Sequence, residues 1–203
     1  MTMSESYSKR ESPPPQAYSR VTDPERFRPL HALGLALIDR LTAEYDVART
    51  EEFVLLSDLQ SFEHARPPVT LAPLVAEAAP VAIAFTRFPG LVVRYGLWQT
   101  DSFPSCGCDA CAETATTEGE RLEALLADVV RGHFREELVI PWFGRATLRW
   151  ALGQLERGEG HHAEGGRFIS RAEARALLRG RPQRVEWQPW RKLESHLAPA
   201  GVR

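Results

Sequence analysis

Asparagine is absent from this chain, lysine occurs only twice (Lys9 and Lys192) against 23 arginines, and there are three cysteines. Without asparagine there is no N-glycosylation acceptor and no Cys-His-Asn catalytic triad. The scarcity of lysine beside so much arginine reads as codon bias in a GC-rich genome, ahead of selection for bidentate anion contacts. All three cysteines fall between positions 106 and 111, and an odd, single cluster is not a secreted disulfide framework. Long apolar runs are missing too. No uncharged stretch exceeds ten residues, well short of the ~20 needed to span a bilayer. The first 20 residues have no apolar core, which argues against a signal peptide. His-Glu-x-x-His, Gly-x-Ser-x-Gly and a phosphate-cradling glycine loop ending in Lys-Ser/Thr are all absent. These absences lead to an expectation of a soluble, cytoplasmic protein with no membrane partner.

What is present suits one domain. The chain has 203 residues, 43% of them apolar, with 25 basic and 27 acidic side chains and a formal charge of −2. A chain of this size buries ~70% of the surface its unfolded form exposes, so it needs no disulfides to fold. Residues 1–20 are polar and carry Pro13-Pro14-Pro15, which reads as a flexible tail. A globular domain is expected over 21–192, followed by a C-terminal tail over 193–203.

Phe27, Leu30, Gly34, Leu37, Leu41 and Tyr45 recur at helical steps and predict a helix over about 24–46, kinked at Pro29 or starting in earnest there. Val81–Phe88 and Leu91–Trp98 alternate apolar and smaller residues around Pro89-Gly90, which predicts an antiparallel hairpin over 81–98. Leu122, Leu125, Leu126, Val129, Val130 and Phe134 predict a second long helix over about 112–134. The segment 138–150 fits strand or helix equally. Gly158 to Gly166 reads as a loop, Ser170-Arg171-Ala172-Glu173 as the capped start of a short helix, and 184–187 as a last strand. The expected fold class is α+β: a small antiparallel sheet built on the 81–98 hairpin, packed with two long helices, a C-terminal helix and a strand.

The chemistry concentrates in Phe103-Pro104-Ser105-Cys106-Gly107-Cys108-Asp109-Ala110-Cys111. Three readings of it stand side by side. Cys108 and Cys111 have the half-site spacing of a structural zinc centre, and Gly107 lets Cys106 swing in as a third ligand. The fourth would be His161 or His162, with Asp109 a poorer choice; His133, at the far end of the expected helix, lies ~33 Å away at 1.5 Å per residue. In the second reading Cys108 sits at a helix N-terminus, which favours thiolate, and Cys111 resolves a disulfide one turn on. In the third, small thiols simply pack at a tight strand-to-helix junction.

This motif, with Phe88-Pro89-Gly90-Leu91-Val92-Val93-Arg94 upstream, resembles an uncharacterised family of small proteins from high-GC bacteria. Pro14-Pro15-Gln16-Ala17-Tyr18-Ser19-Arg20 and Val185-Glu186-Trp187-Gln188-Pro189-Trp190 resemble it as well. The resemblance covers most of the chain after residue 13. It implies one bacterial domain of unknown function and transfers no catalytic residue.

Two weaker signals complete the reading. Residues 167–203 carry nine basic and three acidic side chains, leaving −8 for the remainder. Trp187 and Trp190 in that basic part suggest nucleic-acid stacking, but Arg171, Arg175 and Arg179 at four-residue steps read more simply as a solvated helix face, so nucleic acid is not the expected partner. His133 and Glu137 would share a helix face and read as surface, while Trp142, Phe143 and Trp150 read as core. The functional expectation is a non-enzymatic module that binds another protein, with a cysteine cluster that holds Zn2+ or only packs. The alternative is a thiol oxidoreductase or metalloenzyme acting through Cys108 and Cys111.

Overall fold

In the computed structural model, residues 13–52, 59, 62–153 and 162–194 are described. The chain enters through two short 3-10 turns, Pro15–Ser19 and Pro24–Phe27, before helix α1 (Pro29–Glu44). Pro29 stands at the helix start, where its missing N–H is no loss. Five strands follow as an antiparallel meander: β1 (Val47–Glu51), β2 (Val69–Pro73), β3 (Val81–Phe85), β4 (Leu91–Tyr95) and β5 (Gln99–Phe103), in spatial order β1-β2-β3-β4-β5.

Helix α2 (Ala115–Val130) comes next, opened by a capping box in which Thr114 accepts the Thr117 N–H. The second sheet takes β6 (Phe134–Val139), β7 (Ala146–Gly153), β8 (His162–Ile169) and, after the short helix α3 (Arg171–Leu177), β9 (Arg184–Glu186). Its order is β8-β7-β6-β9, all antiparallel.

The expected fold class is therefore corrected. A small sheet packed with two long helices is replaced by two antiparallel sheets of five and four strands, with three α-helices among the described residues. Three of the additional strands, β1, β5 and β8, carry little apolar alternation. β1 is a mostly exposed edge of polar residues, and β5 is Gln-Thr-Asp-Ser-Phe. β8 carries the Gly165-Gly166 pair that reads as a loop, yet it pairs with β7 over its whole length. Both long helices are shorter than expected. The cysteine loop runs to Thr114 before α2 starts, and the chain leaves that helix at Gly132 to enter β6. Consequently His133 and Glu137 share no helix face: His133 Nδ1 lies 3.6 Å from Asp128 Oδ1, and Glu137 is on β6. Trp142 and Phe143 are not core but sit 84% and 82% exposed in the β6–β7 turn. A short element suggested by the sequence run Phe53-Val54-Leu55-Leu56 lies outside the described residues, as do 1–12 and 195–203.

The main core lies between the helices and one face of the five-stranded sheet. Leu30, Leu37 and Leu41 of α1 and Leu122, Leu126 and Val129 of α2 meet Val81, Ile83, Phe85, Val93 and Tyr95. On the opposite face the small Ala82 and Ala84 meet Val92 and Leu59, so β3 is buried on both sides.

One carboxylate fastens the sheets to each other. Glu136, on the inward face of β6 and 1% exposed, accepts N–H bonds from Leu97 at 2.6 Å and Trp98 at 3.1 Å, both in the β4–β5 turn. The indole N–H of Trp187 adds a third bond at 3.1 Å. Gly96, at φ +61°, leaves the room this needs, since a Cβ there would stand 2.5 Å from the Glu136 carboxylate. Burial, opposed by these three donors, pushes the Glu136 carboxyl up from 4.5 to about 7.

A raised carboxyl makes the native state hold a proton that the unfolded chain has already lost between pH 4.5 and about 7. Stability should therefore fall by about 3 kcal/mol as pH rises through that window. Urea denaturation at pH 5 and pH 8 should show this drop in the wild type and lose most of it in Glu136→Gln; equal pH slopes for the two would contradict it.

Candidate metal centre

The loop from the end of β5 to the start of α2 is held at both ends. Arg121 of α2 stacks its guanidinium 3.9 Å from the Phe103 ring centroid and donates to the Ser102 carbonyl. At the other end Glu113 folds back, accepting the amides of Cys106 at 3.2 Å and Gly107 at 2.7 Å. Gly107, at φ +77°, turns the chain between the first two thiols, under the Phe88 ring.

This geometry gathers Cys106, Cys108 and Cys111 so that their sulfur atoms all lie within 4.8 Å of one another. Cys108 is buried, while Cys106 and Cys111 are exposed. The Cys108 and Cys111 sulfurs are 3.3 Å apart. Three sulfurs around one zinc at 2.3 Å stand about 3.8 Å apart in a tetrahedron, so the loop is within about 1 Å of the spacing a metal would impose. Hydrogen bonds from Cys106 first, then Cys111, stabilise a thiolate at Cys108 and lower its pKa. Cys111 moves the opposite way, to about 12, because its own proton is committed to Cys108 and then Cys106.

The carboxylates near the thiols are otherwise engaged. Asp109 accepts from the Thr22 amide at 2.9 Å, the Thr22 hydroxyl at 2.6 Å and Arg20 Nε at 3.0 Å. These contacts, Thr22 before Arg20, hold its carboxyl down at about 2. Asp109 and Ala110 donate their amides to the carbonyls of Arg20 and Ala17. Arg26 adds bonds to the Gly107 and Cys108 carbonyls at 2.8 and 3.3 Å. The residues ahead of α1 are therefore sewn to the back of the cysteine loop, and Ala17 is buried there.

Of the sequence-derived ligands, the three cysteines come together and, among the described residues, no fourth side chain joins them. Asp109 serves the N-terminal segment instead. His161 lies outside the described residues, and of His162 only the backbone is described, at the start of β8 opposite Gly153. Nor does Cys108 sit at a helix N-terminus, because Ala112 adopts a left-handed φ of 51° and α2 opens only at Ala115. The supporting residues Thr22, Arg26 and Glu113 gave no signal in the sequence: the first two are distant along the chain, and a lone Glu after a cysteine motif is unremarkable in composition.

The profile of a family described as "Family of unknown function (DUF6226)" matches residues 4–194. No curated protein and no solved structure matches the chain.

If Asp109 is what pins the N-terminal segment, Asp109→Ala should release it. Amide exchange at positions 109 and 110 should quicken by ~10-fold or more while β3 and β4 keep their protection. Unchanged exchange at both amides would show that the segment is held by other contacts.

Proposed function

The chain belongs to the DUF6226 family, whose function is unknown, and from the cysteine loop we propose a non-enzymatic protein-interaction module stabilised by a structural zinc ion on Cys106, Cys108 and Cys111. The observation that carries this reading is the convergence of three thiols within 4.8 Å on a loop whose backbone is already fixed by Glu113 and Arg26. A zinc ion would replace the shared protons and draw all three sulfurs into thiolate form. His161 or His162 is proposed for the fourth position. The consequence would be mechanical: one centre would lock the end of β5, the entry to α2 and the N-terminal segment together.

The rival reading, a thiol oxidoreductase or metalloenzyme working through Cys108 and Cys111, draws support from their 3.3 Å separation. The arrangement of acidity works against it. The thiol with the lowered pKa is the buried one, and the exposed Cys111 is the one pushed up. An attacking cysteine needs thiolate character and access in the same residue.

Plasma-emission analysis of protein purified without a metal-affinity tag should find about one zinc per chain, and Cys111→Ser should lose most of it. Chelation should also lower the melting temperature by several degrees. Less than about a tenth of an equivalent, with three titratable thiols, would contradict the proposal. A Cys108–Cys111 disulfide forming rapidly under mild oxidation in metal-free and metal-loaded protein alike would favour the rival.

A further inference from the structure

The β6–β7 turn, Ile140-Pro141-Trp142-Phe143-Gly144-Arg145, leaves its two aromatic side chains clear of the fold, at 84% and 82% exposure. Their rings meet edge to face with centroids 6.3 Å apart. Phe168, 65% exposed, stands on the neighbouring β8 opposite Thr147, with the Arg145 guanidinium 5.8 Å from its ring centroid. Three large aromatics at one end of a sheet exceed the scattered exposure of an ordinary surface.

Along the turn and the facing end of β8 the charges are of one sign, while the acids Glu137 and Glu164 lie further along the sheet face that carries Phe168. Residues 139–147 and 167–171 include Arg145, Arg167 and Arg171 and no acidic residue. Glu173, the acid nearest in the following helix, is taken up by Arg167 at 3.0 Å. Arg171 donates to the Trp142 carbonyl at 2.9 Å, so α3 braces the turn from behind and holds the aromatics outward.

We propose that this turn is a docking tip for an anionic lipid surface, with Trp142 and Phe143 entering the headgroup region and Arg145 and Arg171 meeting lipid phosphates. Aromatic rings with a polar handle favour the bilayer interface, and arginines add attraction to anionic headgroups. The shape selects lipid over the alternatives. Two rings standing clear on a turn suit a surface that deforms around them, whereas a protein partner would need a preformed pocket. Rings packed edge to face at 6.3 Å leave no slot for successive bases to stack, which disfavours single-stranded nucleic acid. The binding lies on the membrane and not across it. Among the described residues no helix is long and apolar enough to cross one, and the expectation of no membrane partner likewise rests on the lack of an uncharged run long enough to span a bilayer. This proposal does not depend on the cysteine centre.

The test is co-sedimentation of the full chain with phosphatidylcholine vesicles, plain or carrying about one-third phosphatidylglycerol, at low salt. Binding to the anionic vesicles with a blue-shifted tryptophan emission is expected. Trp142→Ala with Phe143→Ala should weaken it ~10-fold or more at an unchanged melting temperature, and Arg145→Glu should weaken it on anionic vesicles. No sedimentation with anionic vesicles, equal binding to both vesicle types, or binding indifferent to the aromatic pair would each overturn the proposal. So would binding of a single-stranded oligonucleotide that depends on Trp142 and Phe143 while vesicles are ignored.

Discussion

A carboxylate with 1% of its surface exposed holds the two sheets of this protein together. Removing an ion of this kind from water costs several kcal/mol, and the hydrogen bonds it receives return ~1.5–3 kcal/mol each. At Glu136 three such bonds nearly balance the burial without overcoming it, which is why its carboxyl rises to about 7. The arrangement specifies geometry more than it adds stability. Oxygens aimed at Leu97, Trp98 and the Trp187 indole admit one placement of β6 against the β4–β5 turn. The C-terminal segment then follows from Trp187 as a strap. Gln188 donates to the Glu77 carbonyl, and Trp190 donates its amide to Val130 and its indole N–H to Ala79. Arg191 pairs with Asp46, and Leu193 reaches Glu44 at the end of α1. Within the basic C-terminal stretch, the part from Trp187 to Leu193 thus packs against the fold, with Trp187 and Trp190 buried and Arg191 ion-paired.

The cysteine loop performs the corresponding task elsewhere on the five-stranded sheet. There the join is polar and near the surface: Asp109 to Thr22 and Arg20, Arg26 to two loop carbonyls, Glu113 to two loop amides. Contacts this exposed are individually weak. A metal centre on the three thiols would change that, since each thiolate bond to zinc replaces a thiol hydrogen bond of far lower energy. Zinc would make this corner the firmest part of the loop, and its absence would leave the thiols as a small shared-proton network.

The elements legible in the sequence were those with strongly apolar buried faces. Val81, Ile83 and Phe85 with Leu91, Val93 and Tyr95 announced the central hairpin, and the leucine stripes announced α1 and α2. Helix ends were read too far out because a stripe continues through neighbouring apolar residues, whereas the helix stops where the backbone turns at Ala112 and Gly132. The second sheet was hidden by composition: its strands mix arginine, glutamate and glycine because much of one face meets solvent. Glu136 shows the consequence. Read as helix, it is an ordinary surface acid; read as strand, it shares a face with Phe134 and Leu138, and a charge on that face marks the join between the sheets. At the site, spacing sufficed for the three cysteines, while Thr22 and Arg26 belong to it through a fold that brings distant segments together.

The claim with most at stake is that three sulfurs of one loop share a zinc ion. X-ray absorption at the zinc edge on the full chain, purified without a metal-affinity tag, addresses it directly. The account predicts three sulfur scatterers at about 2.3 Å with one nitrogen or oxygen at about 2.0–2.1 Å. A first shell made only of nitrogen and oxygen, or protein that carries no zinc edge at all, would contradict it.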